Sequence, residues 1–202
     1  MARLSGQERR KLIIEGALDV ILAKGLAGTA TRDVTRKLGV GSGLLHHYFD
    51  TWGELRAEVV RRFVSAEIED LKATLSNAPR DTLVKQFVTW MTVDPEFRFW
   101  KLWLDAVEEA RRDPQLARIV EEGHAQWHAA IVEVISRVSE KVENAQNDVS
   151  HAAWRISATV DGLMGMLVLG QKPLTPELVR QLLTEQICIE LGHTVKRVPD
   201  HQ

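Results

Sequence analysis

The sequence predicts an all-α protein, with a small three-helix unit at the N-terminus and a larger helical domain after it. Three observations carry this. Apolar residues recur at intervals of three and four along nearly the whole 202-residue chain. No stretch shows the alternation of a strand. The breaks between periodic segments fall at glycine, or at Asp-Pro and Asn-Ala-Pro, which are helix boundaries.

The first helix is expected over Gln7–Lys24, with Ile14, Ala17, Leu18 and Ile21 on one stripe and a basic cluster Arg9, Arg10, Lys11 at its start. Ser5 and Glu8 have the spacing of a capping box, and Gly25 ends the helix. The cluster reads equally well as a solvated helix end or as a clamp on phosphate. A second helix spans Thr31–Leu38, where Val34 and Leu38 share a face, and Gly39 supplies the left-handed residue that stops it. A third, short helix runs from about Ser42 to Tyr48, locked across the second by Val40 and Leu45. Such a corner leaves one helix face outward, the geometry that lays a recognition helix in a DNA major groove.

Thr51 and Glu54 form another capping box, opening a helix over 52–76. Its apolar residues make two stripes about 140° apart: Leu55, Val59, Phe63, Ala66, and Val60, Val64, Ile68, Leu71, Leu75. One stripe is expected to face the N-terminal unit and the other the C-terminal helices, which makes this helix a lever between two domains. Asp94-Pro95 is expected to place proline in the first turn of a helix from Glu96 to about Arg112. Asp113-Pro114 repeats the device for a helix of roughly 25 residues to about Lys141. Residues 143–148, ENAQND, read as a loop. Two more helices are expected, from about Val149 to Leu169 and from about Pro176 to Leu191, and a tail, 196–202, reads as disordered.

Composition bounds the function. The chain is 45% hydrophobic and 27% charged, an ordinary globular balance. The run from Leu163 to Leu169 falls well short of the roughly 20 apolar residues that cross a bilayer, so no membrane helix is expected. Cys188, the single cysteine, excludes an internal disulfide and fits a reducing cytoplasm. The net charge of −2 divides unevenly: residues 1–55 hold 8 Lys and Arg against 6 Asp and Glu, and the remainder 18 against 22. The asymmetry has the sign of a phosphate-binding N-terminal face. No nucleophile, base and orienting group stand at catalytic spacing, and no glycine-rich phosphate loop is present, so no enzyme and no cofactor are expected.

The segment from Thr29 to Phe49 resembles the DNA-binding motif of the TetR family of bacterial transcriptional regulators, roughly T-x-x-x-D-I-A-x-x-x-G-V-S-x-G-x-L-Y-x-Y-F. Thr29, Asp33, Val34, Gly39, Val40, Gly43, Leu45, Tyr48 and Phe49 match it. Thr35 stands for alanine, Gly41 for serine, His46 for an aromatic, and Trp52 where the family usually has a lysine on phosphate. The resemblance implies a DNA-binding domain over 1–52, a helical effector-binding and dimerisation domain over 53–195, and a dimeric regulator, most often a repressor, released from a palindromic operator by a small molecule. It implies that Thr31, Arg32, Ser42, Leu44 and His46 face base edges. Thr29, Gly41, Gly43, His47 and Tyr48 complete the DNA-binding set, His47 and Tyr48 on the phosphate backbone. Trp52 in place of lysine implies a salt dependence weaker by about one unit of slope.

Five of the six tryptophans lie from Trp90 to Trp154. Trp90, Trp100, Trp103 and Trp127, with His124, His128 and Asp161, form a candidate effector site; aromatic rings beside an acid (Asp105, Glu108 or Asp161) attract an organic cation. The same rings serve equally as core. Val160–Leu174, VDGLMGMLVLGQKPL, resembles the corresponding stretch of the choline-responsive repressors of betaine synthesis within that family. Glu121, His124 and His128 share a helix face at a spacing compatible with a transition metal, although no fourth ligand is evident and no metal site is assigned. Ala152, Ala153, Ala158, Gly162 and Gly165, with Leu178, Leu182, Leu183 and Ile187, suit close approach to a second copy or an internal core. Besides the DNA-bound repressor, a metal-responsive regulator and a helical interaction protein that binds no DNA remain open.

Overall fold

The computed structural model describes residues 5–139 and 146–192. Among these it contains nine helices and no strand: α1 Gly6–Lys24, α2 Thr31–Leu38, α3 Ser42–Tyr48, α4 Trp52–Ser76, α5 Leu83–Met91, α6 Arg98–Ala110, α7 Pro114–Val138, α8 Gln146–Val168 and α9 Pro176–Glu190. The chain divides into two compact units, Met1–Glu67 with Arg98–His124, and Ile68–Phe97 with Ala125–Gln202. The tail over 196–202 lies outside the described residues.

In the first unit, α1 packs on α2 and α6, and α2 on α3. The Ser5 hydroxyl accepts from the Glu8 N–H at 3.2 Å while the Glu8 carboxylate takes the Ser5 N–H at 2.7 Å, so both halves of the capping box form. Gly39 closes α2 in the left-handed region (φ 65°), where a Cβ would be strained. The Asp33 carboxylate accepts from the Ala30 N–H at 3.0 Å and from Lys24 Nζ at 2.6 Å, tying the start of α2 to the end of α1. Its pKa is lowered, first by the Lys24 hydrogen bond and then by the Ala30 amide. The second capping box is split: the Thr51 hydroxyl accepts from Glu54 N–H at 3.0 Å, but Glu54 reaches one residue further back to the Asp50 N–H at 2.8 Å.

The turn between α1 and α2 is held by α6. Gly25 ends α1 with φ 81°, and the next amide, of fully buried Leu26, donates to Asp105 Oδ2 at 2.8 Å. One turn along α6, Glu109 pairs with Arg56 of α4 at 2.7 Å. Asp105→Ala is expected to leave the Leu26 N–H without an acceptor and to cost about 1–3 kcal/mol, seen as a lower Tm, whereas Asp105→Asn keeps a carbonyl oxygen there and loses less.

Of the two stripes on α4, Val60, Val64, Ile68, Leu71 and Leu75 are all buried, while the other fades: Leu55 and Val59 are buried, Phe63 is half-buried and Ala66 exposed. In the second unit α9 packs on both α8 and α5. Arg137 donates to the carbonyls of Leu75 at 2.6 Å and Ala78 at 2.8 Å, satisfying the end of α4 and the chain just beyond it.

Two helix starts differ from expectation. The helix expected from Glu96 begins at Arg98, and Pro95 lies outside it. Asp94 builds a turn instead: its side chain accepts from the Glu96 N–H at 3.1 Å, its carbonyl takes the Phe97 N–H at 3.1 Å, and Phe97 has φ 51°, incompatible with a right-handed helix. The polar stretch read as a loop is helical from Gln146; its first residues, 143–145, lie outside the described residues.

Candidate nucleic-acid interface

The start of α2 and the outward side of α3 meet on one surface. Thr31 and His46 line a common recess of about 10 Å³, with Thr51 and Trp52 beside them and Leu45, Phe49 and Leu55 also lining it. Leu45 and Phe49 are buried, and anchor α3 in the unit. This leaves Gly41, Ser42, Gly43, His46 and His47 exposed, and Leu44 and Tyr48 half-buried. His47 packs edge-on to Tyr48 with centroids 4.9 Å apart. Arg32 is exposed at the second position of α2. Thr29 is placed differently: it is 5% exposed, and its hydroxyl donates to the Gly25 carbonyl at 2.8 Å. Gly41 caps α3 without any side-chain hydrogen bond, and Ser42 does not replace the missing serine cap.

No sequence pattern pointed to Glu58. Buried on α4, it takes hydrogen bonds from Arg10 (3.0 Å), Arg62 (2.7 Å) and Arg61, while the Arg10 guanidinium also sits 4.7 Å over the Phe49 ring. Burial pushes the Glu58 carboxyl up, but the hydrogen bonds from Arg61, Arg62 and Arg10 together outweigh it and hold the pKa at about 2. The available signal was an acid inside a mostly apolar run with arginines three and four residues on.

The aromatic residues fall into groups. In the first unit Phe63 stacks on Phe99 and Phe99 on Trp103, each at 6.3 Å, with Trp100 edge-on to Phe99 and His124 edge-on to Trp103 at 4.8 Å. In the second, Trp127 stacks on Phe87 at 5.7 Å and lies 6.3 Å from Trp90, whose indole N–H donates to Asp70 at 2.8 Å. His128 stacks on Trp154 at 4.5 Å and meets the Ser150 hydroxyl at 3.2 Å. Asp161 is half-buried on α8. Among the described residues, no three of His, Cys, Asp and Glu are grouped to hold a metal ion, and no helix is long and apolar enough to cross a membrane.

Residues 79–191 match the family model of the BetI-type transcriptional repressor C-terminal domain, and residues 13–59 that of the tetR family of bacterial regulatory proteins. The chain belongs to the TetR family. Its TetR-type helix-turn-helix and BetI-type C-terminal part make it a DNA-binding transcriptional regulator rather than an enzyme. It is 25% identical over 205 residues to the regulator PksA of Bacillus subtilis, covering 98% of each chain. It is 24% identical over 190 residues to the regulator BetI of Cronobacter sakazakii, covering 91% of each. Among solved structures, the fold matches a Saccharomonospora viridis transcriptional regulator in complex with choline, with a TM-score of 0.79 at 23% identity over 90% of this chain and 96% of that one. It also matches a Pseudomonas aeruginosa regulator, with a TM-score of 0.77 at 24% identity over 94% of each.

Proposed function

We propose that this TetR-family chain is a cytoplasmic, homodimeric repressor whose helix-turn-helix, within residues 1–52, binds a palindromic operator, and whose residues 53–195 bind an effector that releases it. The observation that carries the reading is the surface where Thr31 at the start of α2 meets His46 on α3, with Arg32, Ser42, Gly43 and His47 exposed around it. Arg32, Ser42, Leu44 and His46 read base edges there; His47 and Tyr48 position the protein on the phosphates.

The buried anchors Leu45 and Phe49 fix this face, so side chains on it can change without unfolding the unit. Arg32→Ala and Tyr48→Ala are each expected to weaken operator binding about tenfold or more with little change in Tm. The check is selection of bound duplexes from a random pool, followed by titration of both variants; unchanged binding by both would remove these residues from the interface.

Dimerisation through α8 and α9 is supported by the exposed face of α8, where Ala158, Gly162 and Met166 succeed one another at four-residue spacing. For the effector, the aromatic groups and the choline bound by the Saccharomonospora viridis neighbour favour an organic cation. Choline at millimolar concentration is therefore expected to release the selected duplex; a panel of other amines tests the class if choline leaves it bound.

A further inference from the structure

We infer that Arg10, Arg61 and Arg62, gathered on Glu58, form a second nucleic-acid contact: a preorganised clamp for phosphates flanking the operator, outside the helix-turn-helix. The inference rests on the DNA-binding reading above.

Charge is the first argument. One buried carboxylate is neutralised by one cation, yet Glu58 holds three, so the cluster carries two positive charges in excess. Guanidinium groups crowded in this way repel one another until a further anion arrives.

Donors are the second. Each guanidinium has five N–H groups, and Glu58 accepts only one from Arg10, two from Arg61 and one from Arg62. Most N–H groups are left for an outside acceptor. The three side chains are 32%, 50% and 43% exposed, open to solvent although one edge of each guanidinium is pinned to Glu58. Pinning matters because long cationic side chains otherwise lose rotamer freedom when they grip an anion.

Location is the third. Arg10 lies over Phe49, the residue that caps the C-terminal end of α3, so the cluster begins where the recognition helix stops. Arg9 adds a further positive charge beside Arg10 on α1, while Lys11 is paired with Glu15 at 3.7 Å. An evenly spaced polyanion that passes α3 is the partner this arrangement fits, and a DNA backbone is one.

The test uses the full-length protein and the selected operator in two lengths, the bare palindrome and the same duplex extended by several base pairs on each side. With the extended duplex, Arg61→Ala/Arg62→Ala is expected to bind more weakly and to lower the slope of log affinity against log salt by about 0.9 per arginine contact. With the bare palindrome, wild type and variant are expected to match. Arg61→Lys/Arg62→Lys, which keeps the charge, is expected to recover most of the slope. Equal slopes for wild type and the alanine variant on the extended duplex would overturn the inference and leave the cluster a purely internal ion network. Equal losses on both lengths would overturn it too, since the effect would then arise in the helix-turn-helix itself. If wild type binds neither length, the DNA-binding reading falls first and carries this one with it. Tm measured alongside separates misfolding from lost contact.

Discussion

Gly162→Glu is expected to leave the chain folded but monomeric, and to weaken operator binding by about a hundredfold or more. Gly162 is exposed on α8, and a Cβ built there meets nothing within 4 Å, so the substitution creates no clash inside the chain. Replacing a mid-helix glycine should by itself favour the helix. Any loss must therefore come from a partner that the glutamate excludes. The surrounding face is apolar: Trp154 is 54%, Met166 42% and Leu169 75% exposed, with Ala158 between them. A charge buried in such a contact without a counter-charge is strongly unfavourable. Two linked recognition helices gain their affinity jointly, so a monomer keeps only the weak grip of one half-site. Sedimentation and gel-shift titration are the measurements. A dimer that persists with full binding would place the two-fold contact elsewhere.

Glu58→Ala is expected to cost about 2–3 kcal/mol, more than its neighbour Arg61→Ala. Removing the carboxylate leaves three guanidinium groups facing one another, and losing one partner of a buried pair is among the costlier single changes; partial exposure of the arginines sets the lower figure. The same group gives stability a pH dependence of known sign. Its folded pKa, about 2, lies below the ordinary value. Its contribution is thus fully present above about pH 4.5 and disappears as the pH falls towards 2. Wild type is expected to lose stability across that window more steeply than Glu58→Gln, in which the group no longer titrates. Parallel acid melts for the two proteins would contradict the role assigned to the carboxylate.

The N-terminal unit was legible because its signals are local. A capping box at Ser5 and Glu8, a left-handed glycine at Gly39, a cap at Thr51 and the break at Asn77-Ala78-Pro79 each depend on residues within a few positions of one another, and α2, α3 and α4 begin and end where the sequence put them. Of the apolar pair expected to lock α3, Leu45 is buried and Val40 only half-buried. The contacts that bind this unit together were not legible. Asp105 meets Leu26 across 79 positions and Glu58 meets Arg10 across 48, and nothing in either neighbourhood advertises a partner so distant. Phe97 hid for a different reason. A left-handed phenylalanine contradicts its own preference, so Asp94-Pro95 read as the first turn of a helix when it is a separate turn. The tryptophans were legible as aromatic mass but not as groups, because periodicity assigns a face and not the ring packed against it.

A single rigid segment, α6, carries Trp103 in a ring stack and, two residues later, the acceptor that fixes the amide of Leu26. A shift of that segment would carry the acceptor of the Leu26 amide with it, and so the turn that leads into α2. A molecule that eases the repressor off its promoter by moving α6 must itself be gripped less firmly while the promoter is occupied, by the same factor. Seen from the cell, each occupied site would then raise the threshold at which its own silence is broken.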